Sequence, residues 1–291
     1  MPTDVESTAK PSLPKRAIGL LKDTLAKSAE DDAKDLGAAI AYYAFFSVFP
    51  LLVGMIAVSG FFLDSPSVQQ TVFDAVEEAF PGSGAFVEEN LETVVTSRGT
   101  LSLLGVIGLL WSGSAGFGAV TRAVNRAWGT RSDRPVFLSW IRYFMMTVVT
   151  VLLLTLSIGI TAFVEIAPRV RASTLGRIVG EEGLLGRLPG WSTSLVLVFV
   201  MFALVYKLMP NESTRWSQAI PGAVLATLLF EAGKLGVIVY LERIADFSVY
   251  GSLGSIIVLL LWLYISARVL IFGAQFNVVL DRARASRPTG R

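Results

Sequence analysis

The sequence predicts an all-α, polytopic membrane protein with six transmembrane helices. Three observations carry that expectation. Of 291 residues, 53% are apolar and only 16% are charged, whereas a soluble chain is about 45–50% apolar and about 25% charged. Mean hydropathy is accordingly +0.61. The apolar residues are gathered into six runs bounded by charges, each long enough to cross about 30 Å of hydrocarbon as a helix. None of these runs has the ten-residue alternating polarity of barrel strands. Intrinsic disorder, which needs low hydrophobicity and high charge, is excluded.

Residues 1–14 carry Pro2, Pro11 and Pro14 and are expected to form a disordered tail. Residues 15–35 predict an amphipathic cytoplasmic or interfacial helix. Ile18, Leu21 and Leu25 recur at helical spacing among Lys15, Arg16, Lys22 and Lys27. Such a helix either lies on the membrane surface or packs, solvated, on the rest of the protein. Residues 36–281 form the membrane domain, with spans at about 36–63, 99–121, 143–164, 188–206, 216–241 and 248–280.

The first outside loop, 64–100, predicts short extracytoplasmic helices. Ser65-Pro66 is a helix-start signal, and Val68, Val72, Val76 and Ala79 then share one face before Pro81-Gly82. Phe86, Leu91 and Val94 suggest a second helix. The loop is acidic, which is either the solvated faces of those helices or a cap that attracts cations. Residues 282–291 are a basic cytoplasmic tail.

Topology follows from the basic residues, which stay cytoplasmic. Sixteen Lys and Arg, besides Arg142 at the edge of span three, fall in the N-terminal segment, the loops after spans two and four, and the tail; six fall in the other loops. Both termini are therefore expected in the cytoplasm.

Chemistry is sparse. The chain has no Cys and no His, and its formal net charge is +2. Thiolate zinc sites, cysteine nucleophiles and histidine bases are excluded. No phosphate loop or nucleophile elbow is present, and Asp31, Asp32 and Asp35 read as a helix-end charge run. The expectation is no enzyme, no cofactor and no metal. A basic surface interleaved with aromatics, as nucleic acid would require, is also missing. The expected partners are membrane lipids, with a homo-oligomer left open.

The candidate residues are the polar groups inside the spans. Glu231 and Lys234 stand three apart on one helix face, either as an ion pair that makes insertion tolerable or as the lining of a hydrated cavity. Arg268 either snorkels to the interface or lies mid-membrane. Gln275 and Asn277 follow on the same helix as candidate interhelical amides. Tyr42 and Tyr43 serve an aromatic belt or a polar path. Pro50 should kink span one, with Ser47 near the freed carbonyl. Ser112 and Gly116 give span two a small face for close packing. Arg122 and Arg126 are candidate headgroup contacts.

Several of these pieces occur in motifs. Ala38-Ala39-Ile40-Ala41-Tyr42-Tyr43-Ala44-Phe45-Phe46-Ser47-Val48-Phe49-Pro50 resembles the first-span motif of the YihY/BrkB family. Trp111-Ser112 with Arg122-Ala123-Val124-Asn125-Arg126-Ala127-Trp128, and Pro210, Trp216 and Gly222, resemble its next elements. Tyr250-Gly251-Ser252-Leu253-Gly254, Trp262-Leu263-Tyr264 and Gly273-Ala274-Gln275-Phe276-Asn277 resemble its last span. Gln275 departs from the glutamate frequent in that family.

The resemblance implies a six-span, multi-pass bacterial inner-membrane protein. Its members were formerly labelled ribonuclease BN-like, and others are described as virulence factors or transporters, including of lipid. A ribonuclease conflicts with the missing histidine and with the lack of an assignable acidic site. Two expectations remain: a transporter of a lipid or other amphiphile, or a non-transporting envelope-assembly or scaffold protein.

Overall fold

The computed structural model describes residues 13–62, 100–130, 135–166, 190–243 and 252–286. The start of the expected N-terminal tail, the short helices expected in 64–99 and the end of the basic tail lie outside these residues. The described chain is all-helical: α1 (Leu13–Glu30), α2 (Ala33–Phe62), α3 (Thr100–Trp128), α4 (Val136–Ile166), α5 (Gly190–Leu208), α6 (Trp216–Arg243) and α7 (Ser252–Ala285).

The helix expected over 15–35 is corrected to two elements: α1 stops at Glu30 and α2 begins at Ala33. The break is at Asp32, whose φ is +54°. Aspartate tolerates this left-handed conformation because its short polar side chain can bond locally. Asp31 N still donates to Lys27 O at 2.9 Å, while Asp35 N and Leu36 N turn back to Asp32 O at 3.0 and 3.2 Å.

The helices also overrun the uncharged runs. Helix α3 continues through Arg122 and Arg126 to Trp128, because charged side chains at a helix end do not break it. Gly129, at φ +71°, ends it. Gly129 N bonds Arg126 O at 3.1 Å and Thr130 N bonds Asn125 O at 3.0 Å, the paired C-terminal closure that a left-handed glycine permits. Helix α2 runs as one element through position 50, whose side chain lies outside the described residues. Ser47 Oγ donates to Tyr43 O at 2.8 Å, the carbonyl one turn back from itself, and not to Phe46 O, which Pro50 leaves free. Back-bonding of this kind is what a mid-helix serine does by default.

Neighbours in sequence are neighbours in space. Helix α2 packs on α3, α3 on α4, α4 on α5, α5 on α6 and α6 on α7; α7 returns to α2, which closes a ring. Contacts between α3 and α7 cross that ring, and α1 lies along α7. The interior is dominated by small residues, among them Ala123, Ala127, Ala223, Ala226 and Ala274. Small side chains let helix axes approach closely. The closest approach is between α6 and α7. A Cβ on Gly222 would collide with Gly273 O and the Asn277 amide, and one on Gly273 would collide with Tyr206 Oη.

Many large apolar side chains are nonetheless on the outside. Trp111, Phe137, Leu138, Leu152, Leu228 and Leu235 are all exposed, while Gln275, Asn277 and Thr227 are buried. An apolar exterior over a core that also holds buried amides and hydroxyls fits a lipid solvent. Among the described residues, Trp216–Leu241 and Ile256–Ala285 are long and apolar enough to cross a membrane by length and composition.

A buried polar seam and a partly exposed ion pair

The polar seam begins on α1. Thr24, Lys27, Ser28 and Asp31 are all buried, and their spacing puts them on one helix face. Lys27 Nζ lies 3.1 Å from Asp31 Oδ2, with both side chains under 10% exposed. Gln275 Nε2, on α7, donates to the same Asp31 oxygen at 3.0 Å. A buried carboxylate needs both a counter-charge and a donor to offset lost hydration, and Asp31 has both.

Two residues further along α7, Asn277 clamps α6. Its Oδ1 accepts from Gly222 N at 2.6 Å and its Nδ2 donates to Ala219 O at 3.3 Å. Pro221 sits just beyond the first turn of α6 and has no N–H to give Ser217 O. Arg284 Nη1 donates to that carbonyl at 3.3 Å. Tyr206 Oη, on α5, donates to Leu270 O at 2.8 Å. One stretch of α7 therefore hydrogen-bonds α1, α5 and α6.

A second polar group organises the link between α5 and α6. Asn125 Oδ1 accepts from Asn211 N at 2.8 Å and from Thr130 Oγ1 at 3.1 Å. Arg142 Nη1 donates to Met209 O and Pro210 O, each at 3.4 Å. Lys207 Nζ donates to Thr214 O and sits 5.9 Å from the centroid of the Trp216 ring.

Sequence reasoning singled out Gln275 and Asn277 but not their partners. Asp31 was read as part of a charge run, yet it is the buried acceptor, while Asp35 in the same run is exposed. The sequence signal for it is the polar stripe at Thr24, Lys27, Ser28 and Asp31, which runs beside the apolar one at Ile18, Leu21 and Leu25. Tyr206 and Asn125 carried no comparable signal, since each is a lone polar group in a helix.

Glu231 and Lys234 lie apart from the seam, on α6. Lys234 Nζ is 3.1 Å from Glu231 Oε2, with Lys234 14% and Glu231 28% exposed. Glu231 Oε1 is buried and has no hydrogen-bond partner among the described residues. Arg268 sits midway along α7 and faces α2, its aliphatic stem against Gly37. It does not join the Glu231–Lys234 pair. Tyr42 is exposed and stacks its edge on Tyr43, with ring centroids 5.5 Å apart. Tyr43 packs against the core. Arg122 is exposed. Arg126 Nη2 is 3.6 Å from Asp32 Oδ2 in an open pair. Gly113 abuts Thr147 of α4 and Gly116 faces Ser47 and Tyr43 of α2, so the small residues of α3 serve packing on two sides.

An all-helical body with large apolar side chains exposed and a small-residue core crossed by a buried polar seam defines an integral membrane protein. Residues 24–291 match the family described as Virulence factor BrkB, and the chain belongs to that family. It is 26% identical over 277 residues to the ribonuclease-like protein YfkH of Bacillus subtilis, covering 92% of this chain and 97% of that one. It is 28% identical over 252 residues to a UPF0761 membrane protein of Alkalilimnicola ehrlichii, covering 86% of this chain but 55% of that relative. It is 24% identical over 282 residues to the UPF0761 membrane protein VV0203 of Vibrio vulnificus, covering 95% and 88%. The chain thus spans nearly all of two relatives and about half the length of the third. No solved structure matches it.

Proposed function

We propose that the chain is a six-span inner-membrane protein, with both termini cytoplasmic, that moves a lipid or other amphiphile across or within the envelope. The observation that carries this reading is the Glu231–Lys234 pair. It stands well inside an apolar helix, roughly 22 Å from Trp216 at 1.5 Å per residue, and it keeps partial exposure, 28% at Glu231 and 14% at Lys234. Ionised groups within a span mark a path by default, because each is costly in hydrocarbon. Here one carboxylate oxygen has no partner among the described residues, which leaves capacity for a polar headgroup or water. The apolar faces of α6 beside the pair, including Leu228 and Leu235, tolerate acyl chains. A selective ion pore would instead need rings of charge or a carbonyl-lined filter.

Arg268 and the exposed Arg122 and Arg126 are the proposed headgroup contacts. Of these, Arg126 is shared with Asp32. The protein is not proposed to act as a ribonuclease, despite the name of the Bacillus relative, because the chain has neither His nor Cys for acid–base or nucleophilic work. A second reading, a non-transporting scaffold for envelope assembly, is favoured by one specific observation. Glu231 and Lys234 are closed on one another at 3.1 Å.

The test is reconstitution in liposomes, with labelled-lipid movement and ion flux measured together. Lipid movement that Arg268→Ala abolishes at unchanged incorporation supports the transport reading. Ion conductance without lipid movement eliminates it, and silence in both assays favours the scaffold.

A further inference from the structure

Helix α1 is amphipathic in an unusual sense, because its polar face is the one packed into the protein. Thr24, Lys27, Ser28 and Asp31 are buried against α7, while Ile18, Leu21 and Leu25 are exposed, Leu25 by 61%. At about 100° per residue, the apolar stripe lies roughly a quarter-turn round the helix from the buried face. Lys22 is exposed on the outer edge of that stripe, and Asp23 and Glu30 are exposed on the opposite side of the helix. The helix therefore carries three separate faces: a polar one for the protein, an apolar one with a basic border, and an acidic one.

We propose that α1 is an interfacial strap. The Lys27–Asp31–Gln275 cluster fixes its roll on α7, so that Ile18, Leu21 and Leu25 enter the leaflet at that end of the bundle and Lys22 meets anionic lipid headgroups. The lipid surface is the occupant that fits, for two reasons. The body that α1 packs on carries many exposed large apolar side chains, among them Trp111, Leu228 and Leu235, and is itself embedded in lipid. The charge pattern is also complementary, with the cation bordering the apolar stripe and the carboxylates turned away from it, the arrangement that suits an anionic surface. The roll has to be fixed by something other than the apolar side chains, since these do not touch the core. A buried, charge-paired anchor with a hydrogen bond from α7 does that. The proposal needs membrane embedding but not transport.

The chain has no cysteine, so single cysteines can be spin-labelled without background. The full-length protein is reconstituted in vesicles of phosphatidylcholine with phosphatidylglycerol, with labels at Leu21→Cys, Leu25→Cys, Asp23→Cys and Glu30→Cys in turn. Collision with oxygen, which concentrates in lipid, is compared with collision with a water-soluble nickel chelate. The expected oxygen-to-nickel ratio is severalfold higher at 21 and 25 than at 23 and 30, and lower at 21 and 25 when phosphatidylglycerol or Lys22 is removed (Lys22→Glu). In the Lys27→Gln, Asp31→Asn double variant the contrast between faces should flatten. High nickel accessibility at 21 and 25 would overturn the proposal in favour of a solvated helix. Protection from both probes would overturn it in favour of a protein contact, including a second copy. Contrast that survives in the double variant would overturn the anchor.

Discussion

The two charged pairs that matter most are built oppositely. Lys27–Asp31 is almost fully buried, and its carboxylate takes a further bond from Gln275, 244 residues away in sequence, which ties the pair to α7. Glu231–Lys234 keeps more exposure, 28% and 14%, takes no further bond from another helix, and leaves a carboxylate oxygen without a partner among the described residues. The difference teaches how this bundle treats polarity. Where helices must be held together, every charge is matched and amides such as Asn277 bond backbone atoms across the seam. Glu231, whose carboxylate keeps an oxygen without a partner among the described residues, stands away from the seam on α6.

The largest expected effect comes from breaking the buried pair. Asp31→Asn leaves Lys27 an uncompensated buried cation, which costs about 3–5 kcal/mol. Membrane yield and the thermal midpoint in detergent should both fall sharply. The Lys27→Met, Asp31→Leu double variant should recover much of the loss, and a double variant as poor as the single would mean that the pair is not the source.

Next is the α6–α7 contact. Gly273→Leu must push Tyr206, Gly222 and Ala226 apart, and overpacking of this kind costs about 1–3 kcal/mol. Asn277→Leu should cost a similar amount, about 1–3 kcal/mol, by orphaning the Gly222 N–H. Thermal unfolding of each variant checks both.

A smaller effect is expected at Glu231. Glu231→Gln leaves Lys234 partly solvated, so stability should fall by less than for Asp31→Asn. An equal or greater fall would remove the contrast between the two pairs. The smallest effect is at the surface. Arg126 and Asp32 are 57% and 68% exposed, and Asp32→Asn should change the thermal midpoint by no more than about 1 kcal/mol in free-energy terms. Asparagine keeps the left-handed turn, so a large fall there would show that the pair is stronger than its exposure allows.

Helix positions were largely legible because charges bound the apolar runs. Glu231 and Lys234 stood out for the same reason, as the only charges inside theirs. The α1–α2 break was not legible, since Asp31, Asp32 and Asp35 look alike in sequence but are respectively a buried acceptor, a left-handed turn residue and an exposed first-turn acid. The roll of α1 was hidden too. Its apolar residues suggested which face should pack on a neighbour, yet the polar face does so. Tyr206 and Gln275 acquire their roles only from helices brought together across the ring, and no local pattern encodes such a pairing.

The central claim is that the buried seam serves the fold and the Glu231–Lys234 pair serves function. Its most direct test is the Glu231→Gln, Lys234→Gln double variant, with labelled-lipid movement in proteoliposomes measured per folded molecule beside the thermal midpoint. The account predicts lost lipid movement with the midpoint close to that of the unaltered protein. Lipid movement retained while the midpoint collapses would contradict it.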